Sequence, residues 1–408
     1  MRRRRRRLRN GRGTGVEGLL SGTLIVDLSR HLPGPLAGRI LADLGARMVK
    51  VEEPSRGDPV REAPPRRGGT GGLAALLLSG VESVALDLKT PAGREVLSQL
   101  LERADVLLES FRPGTLARLG FPPDLLRERH PRLIVCSISG WGQSGPYAAR
   151  AGHDLSYQAV AGSLAPTGGM PAVPVADLIC AWSAVSAIAA ALFERHRTGQ
   201  GRHIDAALLD AGVHANLVSW AVEAGGPKAV GERLPLTGAL PCYQLYRTAD
   251  GRLIALAALE PHFWRRLCDA VGCGEIRRHQ YSSSPRVRRK VEALVRSRNL
   301  AEWIEIFNRE DIPAEPVLSA AEARQHPQVR ERGVLTEGRD GLPRIGYPAL
   351  VDGLRPRADA HFPALGEHTE AWLDELGASR DIRKAVGFGR RFSWRRWMQR
   401  VREAAARR

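Results

Sequence analysis

Two residues whose types suit proton transfer lie at the starts of two predicted helices. His153 stands in the sequence Gly-His-Asp, and Asp177 opens an apolar stretch after Val-Pro-Val-Ala. A histidine and a carboxylate can remove a proton from one face of a carbon and return one to the other face. The positive end of a helix would favour the ionised form of Asp177. The plainer interpretations are a structural histidine and an N-cap aspartate.

Alternating strands and helices must position this pair. Short apolar runs alternate with helical patterns before residue 152, which predicts an α/β fold. A strand–turn–helix–strand opening predicts a doubly wound sheet, in which ligands gather beyond the carboxyl ends of the strands. No GxGxxG sequence follows the first strand, so the dinucleotide-binding fingerprint is absent. The predicted strands are residues 24–28, 48–52, 83–88, 105–109 and 133–139, with a further strand at 203–208.

The rest of the pattern predicts a surface loop and a second, smaller unit. Residues 54–72 are rich in proline, glycine and arginine and are expected to form a mobile loop. Two strands at 243–247 and 253–257 are joined by Thr-Ala-Asp-Gly, which predicts a hairpin with an Asp-Gly turn. The predicted helices of the chain are residues 36–44, 90–104, 115–130, 178–197, 210–223, 261–271, 287–296 and 300–309.

Composition restricts the class of protein. The chain has 408 residues, 43% hydrophobic content and a net charge of +17. The charge is concentrated in Arg-rich ends at 1–16 and 390–408, and the body between them is nearly neutral. A specific nucleic-acid partner is therefore not expected, although the ends could make a weak contact with an acidic surface. A terminal helix whose aromatic residues dock on the body is an equal alternative for the C-terminal end.

The cysteines and the hydropathy indicate a reduced, aqueous compartment. The 5 cysteines form no CxxC pair and no cluster with zinc spacing, so no metal site is expected. No apolar run reaches the roughly 18 residues of a membrane span, and no secretory signal follows the Arg run. These observations predict a soluble, cytoplasmic protein.

Several sequence segments, in order, resemble the family III CoA-transferases, also called the CaiB/BaiF or carnitine-dehydratase-like family. The motifs are nearest to the α-methylacyl-CoA racemase branch, and the resemblance spans about residues 22–375. The matching segments include LSRHLPGPLAGRILADLGARMVKVEEP, ESFRPGTLARLG, LIVCSISGWGQSGPY, AGHDLSYQAVAG and LFERHRTGQGRHIDAALLDA.

This resemblance implies an acyl-CoA thioester substrate, an interlocked homodimer and no cofactor other than the CoA of the substrate. It also implies an α/β fold with a large Rossmann-like, doubly wound domain built from both chain ends and a smaller α+β domain between them. The predicted domains are a disordered Arg-rich extension at 1–21, a large CoA-binding domain at 22–223 with 335–376, a linker at 224–240, a small domain at 241–334 and a basic tail at 377–408.

Residue-by-residue transfer gives candidate contacts to CoA. Arginine and lysine bind phosphate oxygens well, and Arg112 follows a predicted strand in a Pro-Gly turn. For each basic residue the alternative is a solvated surface charge. The candidates are Lys50, Lys89, Arg112, Arg118, Gly152, Asp154 and Tyr157.

The resemblance leaves two reactions open at Asp177. In the racemase branch the matching Asp and His153 exchange the α-proton, and Glu260 supports the histidine; an exposed Glu at a helix start is its alternative. In the transferase branch the matching Asp attacks the thioester and forms a mixed anhydride. Racemases have a Gly-rich run after this Asp, whereas residues 178–182 here are Leu-Ile-Cys-Ala-Trp, as in transferases. A racemase is the first hypothesis, a CoA-transferase the second, and binding of nucleic acid or an acidic membrane by the Arg-rich ends the third.

Overall fold

The computed structural model describes residues 18–67, 70–165, 169–225, 236, 238–338 and 340–386. The described residues divide into two compact units. One comprises the described residues within Met1–Tyr157, Val173–Gly212 and Arg332–Arg408, and the other comprises those within Gln158–Ala172 and Val213–Glu331. The sequence interpretation placed residues 158–172 and 213–223 in the large domain, as part of 22–223.

The strands are, in chain order, β1 (Leu24–Asp27), β2 (Arg47–Glu52), β3 (Arg66–Arg67), β4 (Thr70–Gly71), β5 (Glu82–Ala85), β6 (Val106–Glu109), β7 (Ile134–Ser139), β8 (His203–Ala207), β9 (Tyr243–Arg247), β10 (Leu253–Ala257), β11 (Ala314–Pro316), β12 (Leu335–Glu337) and β13 (Pro343–Ile345).

The helices of the described residues are α1 (Pro33–Asp43), α2 (Gly72–Leu78), α3 (Pro91–Arg103), α4 (Thr115–Arg118), α5 (Pro123–Arg129), α6 (Asp154–Val160), α7 (Val175–Thr198), α8 (Leu208–Ala215), α9 (Leu217–Ala224), α10 (Pro261–Ala270), α11 (Pro285–Val295), α12 (Leu300–Glu310), α13 (Ala320–Gln325), α14 (Pro327–Arg332), α15 (Thr369–Glu375) and α16 (Arg380–Ala385).

A six-stranded sheet forms the centre of the first unit. Its strand order is β5-β2-β1-β6-β7-β8, and every pairing is parallel. Both sheet faces are covered: α1, α2 and α7 pack on one face, and α3 and α15 pack on the other. Strands buried on both faces carry continuous apolar runs, as these do. The structure confirms the predicted α/β class with a parallel central sheet.

Helix α7 connects the active-site region to the last strand of this sheet. It has 24 residues and, within the described residues, is the one helix long and apolar enough by length and composition to cross a membrane. Cys180, Ala184 and Ile188 on this helix are buried in the cluster that covers one sheet face. Such packing is that of a core helix, whose apolar side is turned to the sheet.

The second unit has its own sheet and core. Strands β9, β10 and β11 form an antiparallel sheet in the order β11-β10-β9, and the predicted hairpin has the bounds expected from the sequence. The side chains of Trp264, Trp303 and Tyr246 are fully buried among the helices and this sheet. An independent apolar cluster of this kind is what a separate compact unit needs.

Three segments differ from the sequence-based expectations. Residues 54–72 contain a 3-10 helix at Pro59–Glu62 and strands β3 and β4, and α2 begins at the last residue of this expected loop. The sequence of α2, GLAALLL, is apolar throughout and so has no helical periodicity to detect. The predicted helices at 115–130 and 210–223 are each two short helices. Most of the predicted linker and of both chain ends lies outside the described residues.

Candidate active site

A cavity of about 540 Å³ lies at the carboxyl edge of the parallel sheet, in the first unit. It is bounded by the loops that follow β1, β6 and β7 and by the starts of α6 and α7. Strand β1 pairs with β2 on one side and with β6 on the other, so the chain changes direction between β1 and β6. Open α/β sheets bind ligands at such a switch point.

The Gly-His-Asp segment and Asp177 meet at this cavity, and Asp154 joins them. The backbone N–H of Asp177 donates to Asp154 Oδ1 at 3.1 Å, which ties the start of α7 to the start of α6. His153, directly before α6, is exposed and lines the same cavity. No hydrogen bond joins His153 to Asp177 in the described part of the chain.

Partial burial gives Asp177 an unusual protonation equilibrium. Desolvation, followed by the negative charge of Asp154, raises the pKa of Asp177 from 3.8 to about 7. The sequence had suggested that the helix end favours the ionised form. Helix α7 in fact begins at Val175 with Pro174 as its N-cap, and Asp177 makes no side-chain cap. The carboxyl group can therefore donate or accept a proton near neutral pH.

The ring of Tyr157 forms a rigid wall behind the Gly-His-Asp segment. A Cβ atom on Gly140 would lie 2.2 Å from the Tyr157 hydroxyl, and one on Gly152 would lie 2.7 Å from the ring. Trp141 packs edge-on against Tyr157 with the ring centroids 4.8 Å apart. Burial, and secondarily the charge of Asp177, raises the pKa of the Tyr157 hydroxyl. Glycine is required at both positions because the ring occupies the space of a side chain.

Four further basic residues line the cavity. Arg30 and His31 follow β1, and Arg112 follows the neighbouring strand β6. Arg150 also lines the cavity and places its guanidinium 4.0 Å from the centroid of the Tyr147 ring. Of these four basic residues, the sequence interpretation named only Arg112. Arg30 and His31 also follow a predicted strand, as Arg112 does, so the same reasoning could have identified them.

A hydroxyl at the cavity floor was also missed. Ser139 ends β7 and lines the cavity, and its buried Oγ has no hydrogen-bond partner among the described residues. A buried hydroxyl without a partner is uncommon in folded proteins. Nothing in the sequence distinguishes this serine from Ser137 on the same strand.

Comparison with known proteins gives the same assignment along nearly the whole chain. Residues 20–369 match the model of CoA-transferase family III. The chain belongs to this family. It is 36% identical over 383 residues to human alpha-methylacyl-CoA racemase, covering 89% of this chain and 94% of that protein. It is 37% identical over 389 residues to succinate–glutarate CoA-transferase of Agrobacterium fabrum, covering 88% of this chain and 95% of that protein.

A solved structure agrees with the family assignment. A CaiB/BaiF family protein from Brucella suis superposes with a TM-score of 0.79 at 30% identity, covering 88% of this chain and 100% of that one. The comparisons confirm the resemblance and place the chain among enzymes whose named members include racemases and CoA-transferases. Identity to the two kinds of relative is nearly equal, so the family assignment by itself leaves the reaction open.

Within this family III fold, Lys50 lies away from the cavity. Its side chain is 1% exposed, and its Nζ lies 3.1 Å from Asp27 Oδ2 and 3.2 Å from Asp58 Oδ2. It also donates to the Ser29 carbonyl at 2.7 Å. The structure therefore surrounds this ammonium group with protein oxygens and brings it to no open surface where a phosphate could bind.

The other predicted contacts have different positions. Arg112, Gly152, Asp154 and Tyr157 line the cavity with the two catalytic candidates. Lys89 is exposed beyond the end of β5, where its backbone N–H donates to Asp87 Oδ1.

Two further candidates lie outside the cavity wall. Arg118 is exposed on α4 and donates to Thr115 Oγ1 at 2.7 Å. Glu260 belongs to the second unit, where it is the exposed N-cap residue of α10. Within the described residues, no group of three or more His, Cys, Asp and Glu side chains could hold a metal ion.

The apolar segment 178–182, which resembles the transferase branch, forms part of the first two turns of α7. None of its residues lines the cavity, and Cys180 and Ala181 are buried against the sheet. Trp182 packs against Tyr347 with the ring centroids 5.7 Å apart. These bulky side chains are therefore accommodated by the core and leave the cavity open.

Proposed function

We propose that this family III member is a 2-methylacyl-CoA racemase or epimerase, in which Asp177 and His153 exchange the α-proton. The raised pKa of Asp177, about 7, is the observation that carries the proposal. A general acid or base works best when its pKa lies near the operating pH. His153 lines the same cavity as Asp177, so one substrate bound there could meet both groups.

The reaction needs a proton carrier on each face of the α-carbon. In one direction ionised Asp177 accepts the α-proton, the C–H electron pair passes into an enolate, and protonated His153 delivers a proton to the opposite face. In the reverse direction the two residues exchange roles. The positive end of α7 and nearby backbone N–H groups favour the negative charge that develops on the thioester oxygen. Glu260 remains a predicted supporting residue, without a step of its own in this scheme.

Deuterium exchange tests this proposal. A stereochemically pure 2-methylacyl-CoA, incubated in D₂O without an acceptor acid, should gain deuterium at the α-carbon and yield both epimers by mass spectrometry and chiral chromatography. His153→Ala should lose the inversion, whereas His196→Ala, which changes an exposed histidine at the far end of α7, should not. Inversion by His153→Ala at the wild-type rate would contradict a two-residue exchange.

A second candidate is an acyl-CoA:carboxylate CoA-transferase. The absence of glycine at residues 178–182, which continue α7, favours it. Asp177 would attack the thioester carbonyl, form an acyl anhydride and release CoA thiolate as the C–S bond breaks. Transfer of CoA to an added carboxylate, with hydroxylamine trapping of an acyl group on Asp177, would support this reaction. Deuterium exchange without any acceptor would favour the racemase.

The remaining expectations are proposals about the working unit and its surroundings. A homodimer is supported by the exposed apolar side chains of Leu217 and Trp220 on α9. Light scattering during size-exclusion chromatography tests it, and a monomer at micromolar concentration would contradict it. A cytoplasmic location, no cofactor beyond CoA and contacts by the Arg-rich ends stay predictions, and those ends lie outside the described residues.

A further inference from the structure

Residues 29–31, directly after β1, bring two basic side chains to the cavity that the proposed chemistry does not use. Arg30 and His31 both line the cavity, together with the Gly-His-Asp segment. We propose that Arg30 and His31 form a binding subsite for an anionic group of the substrate, positioned by the buried Lys50–Asp58 ion pair. The inference rests on the proposed CoA-thioester substrate and extends it to the contacts on this wall.

A buried lysine fixes the beginning of this segment. Lys50 donates to the Ser29 carbonyl at 2.7 Å and to Asp27 Oδ2 at 3.1 Å. The Ser29 backbone N–H donates to Asp27 Oδ1 at 2.7 Å. Both backbone groups of Ser29 are thus held by one buried ion pair. Charged hydrogen bonds of this kind, removed from water, hold a backbone more firmly than neutral bonds.

Two further hydrogen bonds fix the residues that face the cavity. The His31 backbone N–H donates to Asp58 Oδ1 at 3.2 Å, and Asp58 Oδ2 lies 3.2 Å from Lys50 Nζ. The Arg30 backbone N–H donates to Ser110 Oγ at 2.9 Å, which joins this segment to the end of β6. Lys50 therefore contacts the segment directly at residue 29 and through Asp58 at residue 31.

His31 adopts a backbone conformation that side chains rarely take. Its φ angle is 66°, in the left-handed region, although it is not a glycine. This conformation is unfavourable for a residue with a side chain and persists where the surroundings impose it. Here the His31 backbone N–H is held by Asp58 Oδ1, and the residue lines the cavity. Such strain at a cavity is typical of residues with a role in binding.

The cavity wall carries both basic and acidic side chains. The loops after β1 and β6 contribute Arg30, His31 and Arg112, and neither loop contributes an acidic residue to the wall. The acidic residues of the wall, Asp154 and Asp177, belong to the starts of α6 and α7. An anionic part of a substrate is therefore attracted to the loops after β1 and β6, and its neutral thioester can lie near Asp177.

The side chains at residues 30 and 31 match the chemistry of an oxyanion. The Arg30 guanidinium lies 5.8 Å from the centroid of the Phe111 ring and makes no hydrogen bond to another described residue. Guanidinium and imidazole N–H groups bind the oxygens of phosphates and carboxylates. A CoA thioester supplies phosphates, and a dicarboxylic acyl group supplies a carboxylate. Phosphate and carboxylate oxygens can both accept hydrogen bonds from Arg30 and His31.

Equilibrium binding of unreactive thioethers shows whether this subsite binds a phosphate of CoA or a carboxylate of the acyl group. S-propyl-CoA carries the phosphates alone, S-(3-carboxypropyl)-CoA carries phosphates and a carboxylate, and S-propyl-pantetheine carries neither. Isothermal titration calorimetry is performed with the wild type, Arg30→Gln and His31→Asn, because asparagine tolerates the left-handed conformation. Arg129→Gln, an exposed arginine on α5 outside the cavity, is the matched control.

The expected result is a loss of about tenfold in affinity for Arg30→Gln and about threefold for His31→Asn, as for loss of a charged or a neutral hydrogen bond. Equal losses for both CoA thioethers identify a phosphate, and a loss confined to the carboxypropyl compound identifies a carboxylate. Unchanged affinity of both variants for both thioethers would overturn the subsite. If the wild type bound neither CoA thioether, the proposed function itself would fail.

The positioning role of the ion pair has a separate test. Asp58→Asn keeps the oxygen that accepts from His31 but removes the charge that holds Lys50. It should weaken binding of the same thioether that Arg30→Gln weakens, by a smaller factor, and leave S-propyl-pantetheine binding unchanged. A uniform loss of affinity for all three compounds would instead indicate general structural damage and contradict a positioning role.

Discussion

Two groups of carboxylates in the first unit have the same side-chain chemistry and opposite surroundings. The cavity carboxylates, Asp154 and Asp177, face each other without a basic side chain in hydrogen bond to Asp177. The buried ion-pair cluster of Asp27, Lys50 and Asp58 places an ammonium group between two carboxylates. The difference shows that neighbours, more than burial, decide whether an acidic group serves structure or chemistry.

The protonation of Glu52 and of Asp177 expresses this difference. Burial by itself raises the pKa of both groups. At Glu52, next to the ion-pair cluster, hydrogen bonds and charges from Arg61 and then Lys50 outweigh burial and hold the pKa below its usual value. At Asp177 the second influence is another carboxylate, so the pKa rises to about 7. A cation compensates the cost of burial in one case and is absent in the other.

The largest expected effect follows removal of the Asp177 carboxyl group. Asp177→Asn should lower the rate of α-deuterium exchange by about 10³-fold or more, because an amide can neither accept nor return the proton. Mass spectrometry of the product measures this rate. A variant that kept a tenth of the wild-type rate would show that Asp177 is not a proton carrier.

The same variant should be more stable than the wild type at pH 8. The folded protein holds the Asp177 proton up to a pKa of about 7, whereas the group titrates near 3.8 when unfolded. The protonated carboxyl group therefore favours the folded state at low pH. This stabilisation is lost as the pH rises from 3.8 through about 7. Thermal unfolding should show a higher midpoint for Asp177→Asn at pH 8 and no difference at pH 4.

In the buried ion-pair cluster, loss of charge should instead destabilise the fold. Lys50→Met leaves Asp27 and Asp58 without their cation and should lower the free energy of unfolding by about 3–5 kcal/mol. Urea unfolding measures it. Lys290→Met, which removes an exposed lysine paired with Glu275, is the control and should change it by less than about 1 kcal/mol. Similar losses for the two variants would refute the distinction between the buried and exposed pairs.

A smaller effect should follow from an added methyl group at the cavity wall. In Gly152→Ala the new Cβ would lie 2.7 Å from the buried Tyr157 ring, so the wall must shift. A loss of about 1–3 kcal/mol in stability is expected, together with slower exchange. Gly274→Ala has nothing within 4 Å of the added atom and serves as the control. Unchanged stability of Gly152→Ala would mean that the Tyr157 ring moves freely.

The smallest expected effect separates the two causes of the raised pKa. Asp154→Asn removes the second cause, the neighbouring charge, but leaves desolvation, the first. The pKa of Asp177 should fall while remaining above 3.8, and the limb of the pH–rate profile that depends on Asp177 should move to lower pH. If the pH–rate profile of Asp154→Asn were identical to that of the wild type, burial alone would account for the raised pKa of Asp177.

The sequence predicted the elements of the sheet more completely than the cavity. Apolar runs such as 133–139 and glycine-bounded helices have strong local patterns, and β9 and β10 have the predicted bounds. Helix α2 was missed because its apolar sequence has no period, and the helix at 115–130 is interrupted at Gly120, whose φ is 95°. Local backbone preferences therefore explain most of the agreement and both kinds of error.

The candidate site required information that no local pattern carries. The sequence indicated Asp177 and His153 by type, but the pKa of Asp177 depends on how deeply α7 is buried and on Asp154, which lies 23 positions earlier. Lys50 has the residue type of a phosphate ligand, yet three strand and loop segments enclose it. Arg30 and His31 reach the cavity because β1 adjoins β6, which follows only from the strand order.

The most direct test of the difference between the two carboxylate groups is the titration of the Asp177 side chain itself. Protein labelled at the aspartate carboxyl carbon with ¹³C would be followed by NMR from pH 3 to 9, and the Asp177 resonance assigned by its absence in Asp177→Asn. A midpoint near 7 is expected for Asp177. A midpoint near the ordinary value of 3.8 would contradict it, and with it the proposal that this carboxyl group carries the α-proton.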